Sequence, residues 1–156
     1  GSLLMDFPAK TPIAYQGDEK AAISAAFGEG VVEILEVPNE LIVILDSVET
    51  LEQIDPPSDD LAKFSKYGVM VSAWDEQGKY DFVSRYFAPN LGIKEDPVTG
   101  FIHTILSPYW AQVKGKTDFS CYQASARGGE LKTSVKGERV WLYGYAVKVF
   151  ETEISL

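Results

Sequence analysis

The segment from Phe101 to Val113 constrains the fold more than any other stretch of the chain. Phe101, Ile102, Ile105, Leu106, Tyr109, Trp110 and Val113 cover most of a helical circumference. A helix that is apolar nearly all round has to be buried on most sides. Pro108 lies inside it, which should remove the hydrogen bond to Thr104 and kink the axis. Most of the other apolar segments are strand-like. One buried helix among many strands predicts an α+β fold, with a mostly antiparallel, barrel-like sheet wrapped around a central helix.

The remaining elements follow from local pattern. Glu19 to Phe27 is alanine-rich, with Asp18 to cap it and Gly28 to close it. Val31 to Val37 and Leu41 to Asp46 read as a hairpin through Pro38-Asn39. Two short helices are expected over Ser47 to Ile54, capped by Ser47, and Asp59 to Lys66, capped by Ser58. Tyr67 to Trp74 alternates, with Val69, Val71 and Ala73 on one side, and Tyr80 to Phe87 is its partner strand. After the loop 89–100 and the buried helix, Phe119 to Ala124, Glu130 to Val135 and Arg139 to Phe150 read as strands. Leu3 to Pro8 is a further strand, and Val147 to Ile154 is strand-like too. Gly1-Ser2 reads as a cloning remnant, leaving residues 3–156 as a single domain.

Composition limits the function classes. The 156 residues are 46% hydrophobic, enough for one sizeable core and too apolar for a disordered chain. No apolar run approaches the ~20 residues of a membrane helix, and no leader pattern is present, so a cytoplasmic protein without membrane partners is expected. One cysteine, Cys121, and one histidine, His103, argue against an internal disulfide or a metal site. The net charge of −9 disfavours nucleic acid as a partner. Residues 1–78 carry a balance of −11 and residues 79–156 a balance of +2, so a site for an anion is expected in the second half.

The loop Glu95-Asp96-Pro97-Val98-Thr99-Gly100 leads straight into the buried helix. A helix start has unpaired N–H groups and partial positive charge, and so can cradle a carboxylate. Gly100 lets another molecule approach the backbone. Asp96 stands beside that cradle, where a carboxyl could move a proton on a bound acid. The plainer alternative is that Thr99 or Asp96 caps the helix while Pro97 stiffens the turn. Arg85 is expected to pair with Glu95 or Asp96, with binding of a substrate carboxylate as its second possible role. His103 reads first as a hydrogen-bonded core or cleft residue, and Arg127-Gly128-Gly129 as a turn or bulge.

Several of these residues together resemble a known family. Ser84-Arg85-Tyr86-Phe87-Ala88-Pro89, Gly92-Ile93, Glu95 to Gly100, His103, and Gln123 to Leu131 are similar to the phenazine-biosynthesis PhzF-like proteins. The resemblance covers nearly the whole chain but only the second half of a family member, with Leu3 to Pro8 resembling the strand that closes the first lobe. It implies one lobe of a diaminopimelate epimerase-like fold and cofactor-independent proton transfer on a small anionic carboxylic acid. Asp96 matches the second-lobe catalytic aspartate. Thr99, Gly100, Phe101 and His103 would bind substrate, with Arg85 and Glu95 in support and no metal. The family usually has a serine where this chain has Phe101, which removes a hydroxyl donor from the cradle. Because the principal glutamate belongs to the first lobe, the chain is expected to be inactive without that lobe or a second copy. The other expectation is a non-catalytic assembly module that dimerises through its lobe–lobe face.

Overall fold

The computed structural model describes residues 2–154. Gly1 of the expected remnant and the last two residues of the expected domain lie outside the described residues; Ser2 opens the first strand. In chain order the elements are β1 (Ser2–Pro8), β2 (Ile13–Ala14), α1 (Lys20–Phe27), β3 (Val31–Val37), β4 (Glu40–Leu45), α2 (Val48–Gln53) and α3 (Ser58–Phe64). There follow β5 (Gly68–Trp74), β6 (Phe82–Phe87), a 3-10 turn at Pro89–Leu91, α4 (Gly100–Lys114), β7 (Asp118–Gln123), β8 (Gly129–Lys136) and β9 (Arg139–Tyr145).

The strands form one sheet in the order β1-β9-β8-β7-β6-β5-β4-β3-β2. Six of the eight strand pairings are antiparallel, as expected, but the barrel around a single helix is corrected here. The sheet is mixed, with β4 parallel to β5 and β6 parallel to β7, and helices cover both of its faces. Each parallel pair is joined by a helical crossover: α2 and α3 link β4 to β5, and α4 links β6 to β7. Such crossovers are almost always right-handed. The two step the same way across the sheet, but β6 runs opposite to β4. A fixed hand therefore sends α2 and α3 to one face and α4 to the other.

Two cores result, sharing the central strands as a common wall. Ile42, Ile44, Met70, Phe82 and Tyr86 face α4, packing with Ile102, Ile105, Leu106 and Trp110. Leu41, Val43, Val69, Val71, Val83 and Phe87 face the other way, against Ile23, Phe27, Leu51 and Leu61 of α1, α2 and α3. Ser72 is the buried polar exception on β5: it donates to the Val83 carbonyl at 2.9 Å and accepts from the Trp110 indole at 3.0 Å.

The proline in α4 has a specific counterpart. Pro108 cannot donate to the Thr104 carbonyl, and the Lys10 N–H does so instead, at 3.0 Å. The chain after β1 is thereby tied to the middle of α4. β1 itself pairs with β9, Ser2 opposite Tyr145 and Pro8 opposite Arg139, so it is an edge of this sheet. β9 ends at Tyr145, where that register ends, and the expected strand over 147–154 is absent: residues 146–154 have no regular structure.

Helix ends also differ in detail. Ser47 caps α2 through the Thr50 N–H at 3.1 Å, as its position predicts. Glu19 rather than Asp18 is the first residue of α1's cap, and Pro57 rather than Ser58 precedes α3; neither makes a side-chain cap. Truncating Ile105, which is fully buried between α4 and the sheet, should cost about 2–5 kcal/mol in Ile105→Ala, whereas Leu3→Ala on exposed β1 should cost under about 1 kcal/mol. Urea denaturation of the two variants tests the contrast.

Candidate active site

The loop between the 3-10 turn and α4 is held from three sides. Arg85 on β6 grips Glu95 with both arms of its fork, Nε to Oε1 at 2.8 Å and a terminal nitrogen to Oε2 at 3.1 Å. Its other terminal nitrogen donates to the Leu51 and Ile54 carbonyls at 3.1 and 2.6 Å. Four of the five guanidinium N–H groups are thus engaged between α2 and the loop, and Glu95, not Asp96, is its carboxylate partner. This makes Arg85 and Glu95 supports of the loop and leaves Arg85 no free donor edge for a substrate carboxylate.

Asp96 is placed through its backbone. Its N–H donates to the Tyr86 carbonyl at 2.9 Å, and its own carbonyl accepts from the Gln123 amide at 2.8 Å. Gln123, fully buried on β7, also accepts from the Thr99 N–H at 2.7 Å. Ser125 donates to the Pro97 carbonyl at 2.6 Å while accepting from the Gly128 N–H at 3.1 Å. Gly128 has φ of +70°, so the Arg127-Gly128-Gly129 turn serves to bring this hydroxyl under the loop. Gln123 and Ser125 lie in the family-like stretch Gln123 to Leu131, where spacing alone gives neither side chain a role.

The plain capping reading is not what the geometry shows. The Thr99 hydroxyl donates to the Asp96 carboxylate, and no side chain among the described residues caps α4. The half-buried Asp96 carboxylate therefore sits beside a helix start whose leading N–H groups have no side-chain acceptor. Phe101, 39% exposed, flanks the same spot, with the Lys10 ammonium 4.7 Å from its ring centroid. So a cation from the first half of the chain faces this region, contrary to the charge balance that placed anion-binding groups only in the second half.

His103 is the expected binding residue that the structure removes from the surface. It is fully buried and stacks on Phe82 at 5.8 Å between centroids. Its Nδ1 lies 3.0 Å from the Thr99 carbonyl, which can only accept, so Nδ1 carries the proton. Nε2 has no hydrogen-bond partner among the described residues. Burial pulls its pKa down to about 4, opposed by the Thr99 hydrogen bond, and the ring is neutral at pH 7. Through that hydrogen bond His103 holds the Thr99 backbone from beneath the loop.

A buried carboxyl also lies outside the residues that sequence spacing points to. Glu40, at the start of β4, is 7% exposed and accepts from the Tyr86 hydroxyl at 3.2 and 3.1 Å. Burial raises its pKa to about 7, although the Tyr86 and Gly68 hydrogen bonds and the charge of Lys10 pull the other way. Elsewhere, Cys121 is fully buried on β7, where burial pushes its thiol pKa up and makes it inert, as expected of a small core residue. A concavity of about 600 Å³ over β8, lined by Ser120, Glu130, Lys132 and Tyr143 among others, contains none of the expected site residues. No group of three or more metal-ligating side chains occurs among the described residues.

Fold and site together define a mixed-sheet α/β domain that presents a loop carboxylate at the start of a buried helix. The family model described as phenazine biosynthesis-like protein matches residues 1–152, and the chain belongs to that family. It is 42% identical over 154 residues to an uncharacterized isomerase of Pseudomonas aeruginosa, covering 99% of this chain and 58% of that protein. A PhzF-family crystal structure from Enterococcus faecalis superposes with a TM-score of 0.83 at 36% identity, over 92% of this chain and 54% of that one. A PhzC/PhzF protein structure from Clostridium difficile gives the same TM-score at 30% identity, over 99% of this chain and 58% of that one. The chain spans a little over half the length of these relatives.

The reading of β1 as a strand of a separate first lobe is corrected here. The family model runs through residues 1–152, and the nine strands of the described residues, the supposed first-lobe strand β1 among them, join in one sheet. The expected inactivity without a first lobe or second copy loses that premise. So does the assembly module built on a lobe–lobe face.

The two buried titrating groups give stability opposite pH dependences. Glu40 keeps its proton in the folded protein to about pH 7, whereas the unfolded chain releases it near 4.5, so stability falls as pH rises across that window. His103 stays neutral when folded down to about pH 4 but protonates near 6.5 when unfolded, so stability falls as pH drops across that range. Glu40→Gln removes only the first effect. Its stability relative to wild type should rise by about 2–3 kcal/mol between pH 5 and pH 8, measured by chemical denaturation.

Proposed function

We propose that the protein is an isomerase of the PhzF-like type, moving a proton on a small carboxylic acid without a cofactor, with Asp96 as the acid/base group. The observation that carries the reading is the placement of the Asp96 carboxylate beside the uncapped start of α4. Substrate carboxylate at that helix start would meet N–H donors and the positive end of the helix. Asp96 would then face the carbon framework, and the Thr99 hydroxyl would hold its carboxylate in one orientation.

Each remaining expected residue takes a role consistent with its position. Gly100 contributes a backbone N–H and leaves room above it; a Cβ there would meet only Leu142, at 3.4 Å. Phe101 narrows the approach with its ring and gives it an apolar wall, favouring a substrate with an unsaturated or aliphatic body over a strongly polar one. Arg85 and Glu95 fix the loop, and His103 fixes Thr99 from beneath.

The test is carbon-bound proton exchange. Incubation in deuterium oxide with a panel of small amino, hydroxy and unsaturated carboxylic acids should give deuterium at one carbon of at least one acid, read by mass spectrometry. Asp96→Asn should slow that exchange by about 100-fold or more. Equal exchange by wild type and Asp96→Asn would remove Asp96 from the chemistry.

A further inference from the structure

The Asp96 loop and the buried Glu40 are joined by one side chain. Tyr86 lies on β6, opposite Met70 of β5, and its ring extends along β5 to Gly68. Gly68 is paired in turn with Glu40 of β4. A Cβ on Gly68 would lie 2.5 Å from the Tyr86 ring and hydroxyl, so any other residue there would push the ring away. The missing side chain lets the phenol cross a whole strand and reach the Glu40 carboxyl, its one O–H shared between the two oxygens. At its other end, the Tyr86 main-chain carbonyl holds the N–H of Asp96 at 2.9 Å.

We propose that Glu40 and Tyr86 are a positioning pair for the Asp96 site, through which the charge on Glu40 is felt at the Asp96 carboxylate. The reading rests on Asp96 being the working carboxylate of the proposed function, and the coupling itself is a property of the unliganded protein. The groups that act on Glu40 come from three elements: the Tyr86 phenol on β6, the Gly68 N–H on β5 and the Lys10 ammonium after β1. Tyr86 also feels the charge of Asp96, which puts both carboxylates within electrostatic reach of one phenol. Lys10 lies over Phe101, so the same cation serves both ends of the arrangement. While Glu40 is neutral, Asp96 is the one anion of the pair, and Lys10 and the start of α4 can attract a substrate carboxylate. Once Glu40 ionises, a second negative charge opposes that anion.

The experiment is a carbon-13 titration of the ligand-free protein labelled at aspartate Cγ and glutamate Cδ, from pH 5 to 9, with Asp96 assigned by its loss in Asp96→Asn. The Asp96 Cγ signal should inflect at the same pH as the Glu40 Cδ signal. Glu40→Gln, which keeps the shape and an acceptor for Tyr86, should abolish that inflection. Tyr86→Phe should keep the Glu40 titration and shrink the Asp96 response by twofold or more. An Asp96 signal that follows the same curve in wild type and Glu40→Gln would overturn the proposal. The readout needs no substrate: coupling without proton exchange on any acid sustains the pair and refutes only the isomerase reading, and exchange without coupling does the reverse.

Discussion

The hydrogen bond from the Lys10 N–H to the Thr104 carbonyl is the contact on which the rest of the architecture leans. α4 is buried through most of its length, and Pro108 opens its backbone in the middle. A free carbonyl at that depth would cost about 1–3 kcal/mol. The donor comes from the far end of the sequence, so closing the helix also fixes where β1 ends and how it enters the sheet beside β9. It brings the Lys10 side chain over Phe101 as well, at the start of the same helix. A local defect in one helix thus organises both an edge of the sheet and the electrostatics of the candidate site.

The site is rigid for reasons that lie outside it. The loop from Glu95 to Thr99 carries little apolar packing of its own, yet four side chains from other elements, Arg85, Gln123, Ser125 and His103, hold its backbone or its Glu95. Three of these are neutral. The one ionic anchor, Arg85 with Glu95, is compensated within itself, so it fixes the loop without adding net charge beside Asp96. Asp96 keeps one hydroxyl partner, which orients a carboxylate without neutralising it.

Much of the local structure was legible because it depends on near neighbours. The Ser47 cap, the turn at Pro38-Asn39, the strand 69–73 and the buried helix all follow from spacing over a few residues. What sequence spacing does not carry is which strands pair, and in which sense. β4 and β5 follow one another as strands, and the two short helices between them are long enough to return the chain parallel. The alternation in 147–154 misled because a strand also needs a partner, and the ladder with β1 ends at Tyr145. At the site, Asp96, Thr99 and Gly100 stood together in sequence and stand together in space. Glu40 and Lys10 could not be found that way: they are 56 and 86 residues from Asp96, and only the sheet brings them into range.

Strands apolar on both faces pose a problem of alignment, because sliding one past another exchanges one set of apolar contacts for a similar set. The inward polar side chains on the central strands remove that freedom. Ser72 has its hydroxyl between the Val83 carbonyl and the Trp110 indole, and a shifted β5 would leave that indole buried without an acceptor. Gly68 must likewise lie under Tyr86, since a shift would put a side chain where the ring has to pass. These two positions act as keys that admit one alignment of β4, β5 and β6 and reject the rest. In the collapsed chain, a correctly seated Trp110 would therefore signal that the middle of the sheet has reached its final register, making its fluorescence a clock for sheet assembly rather than for helix formation.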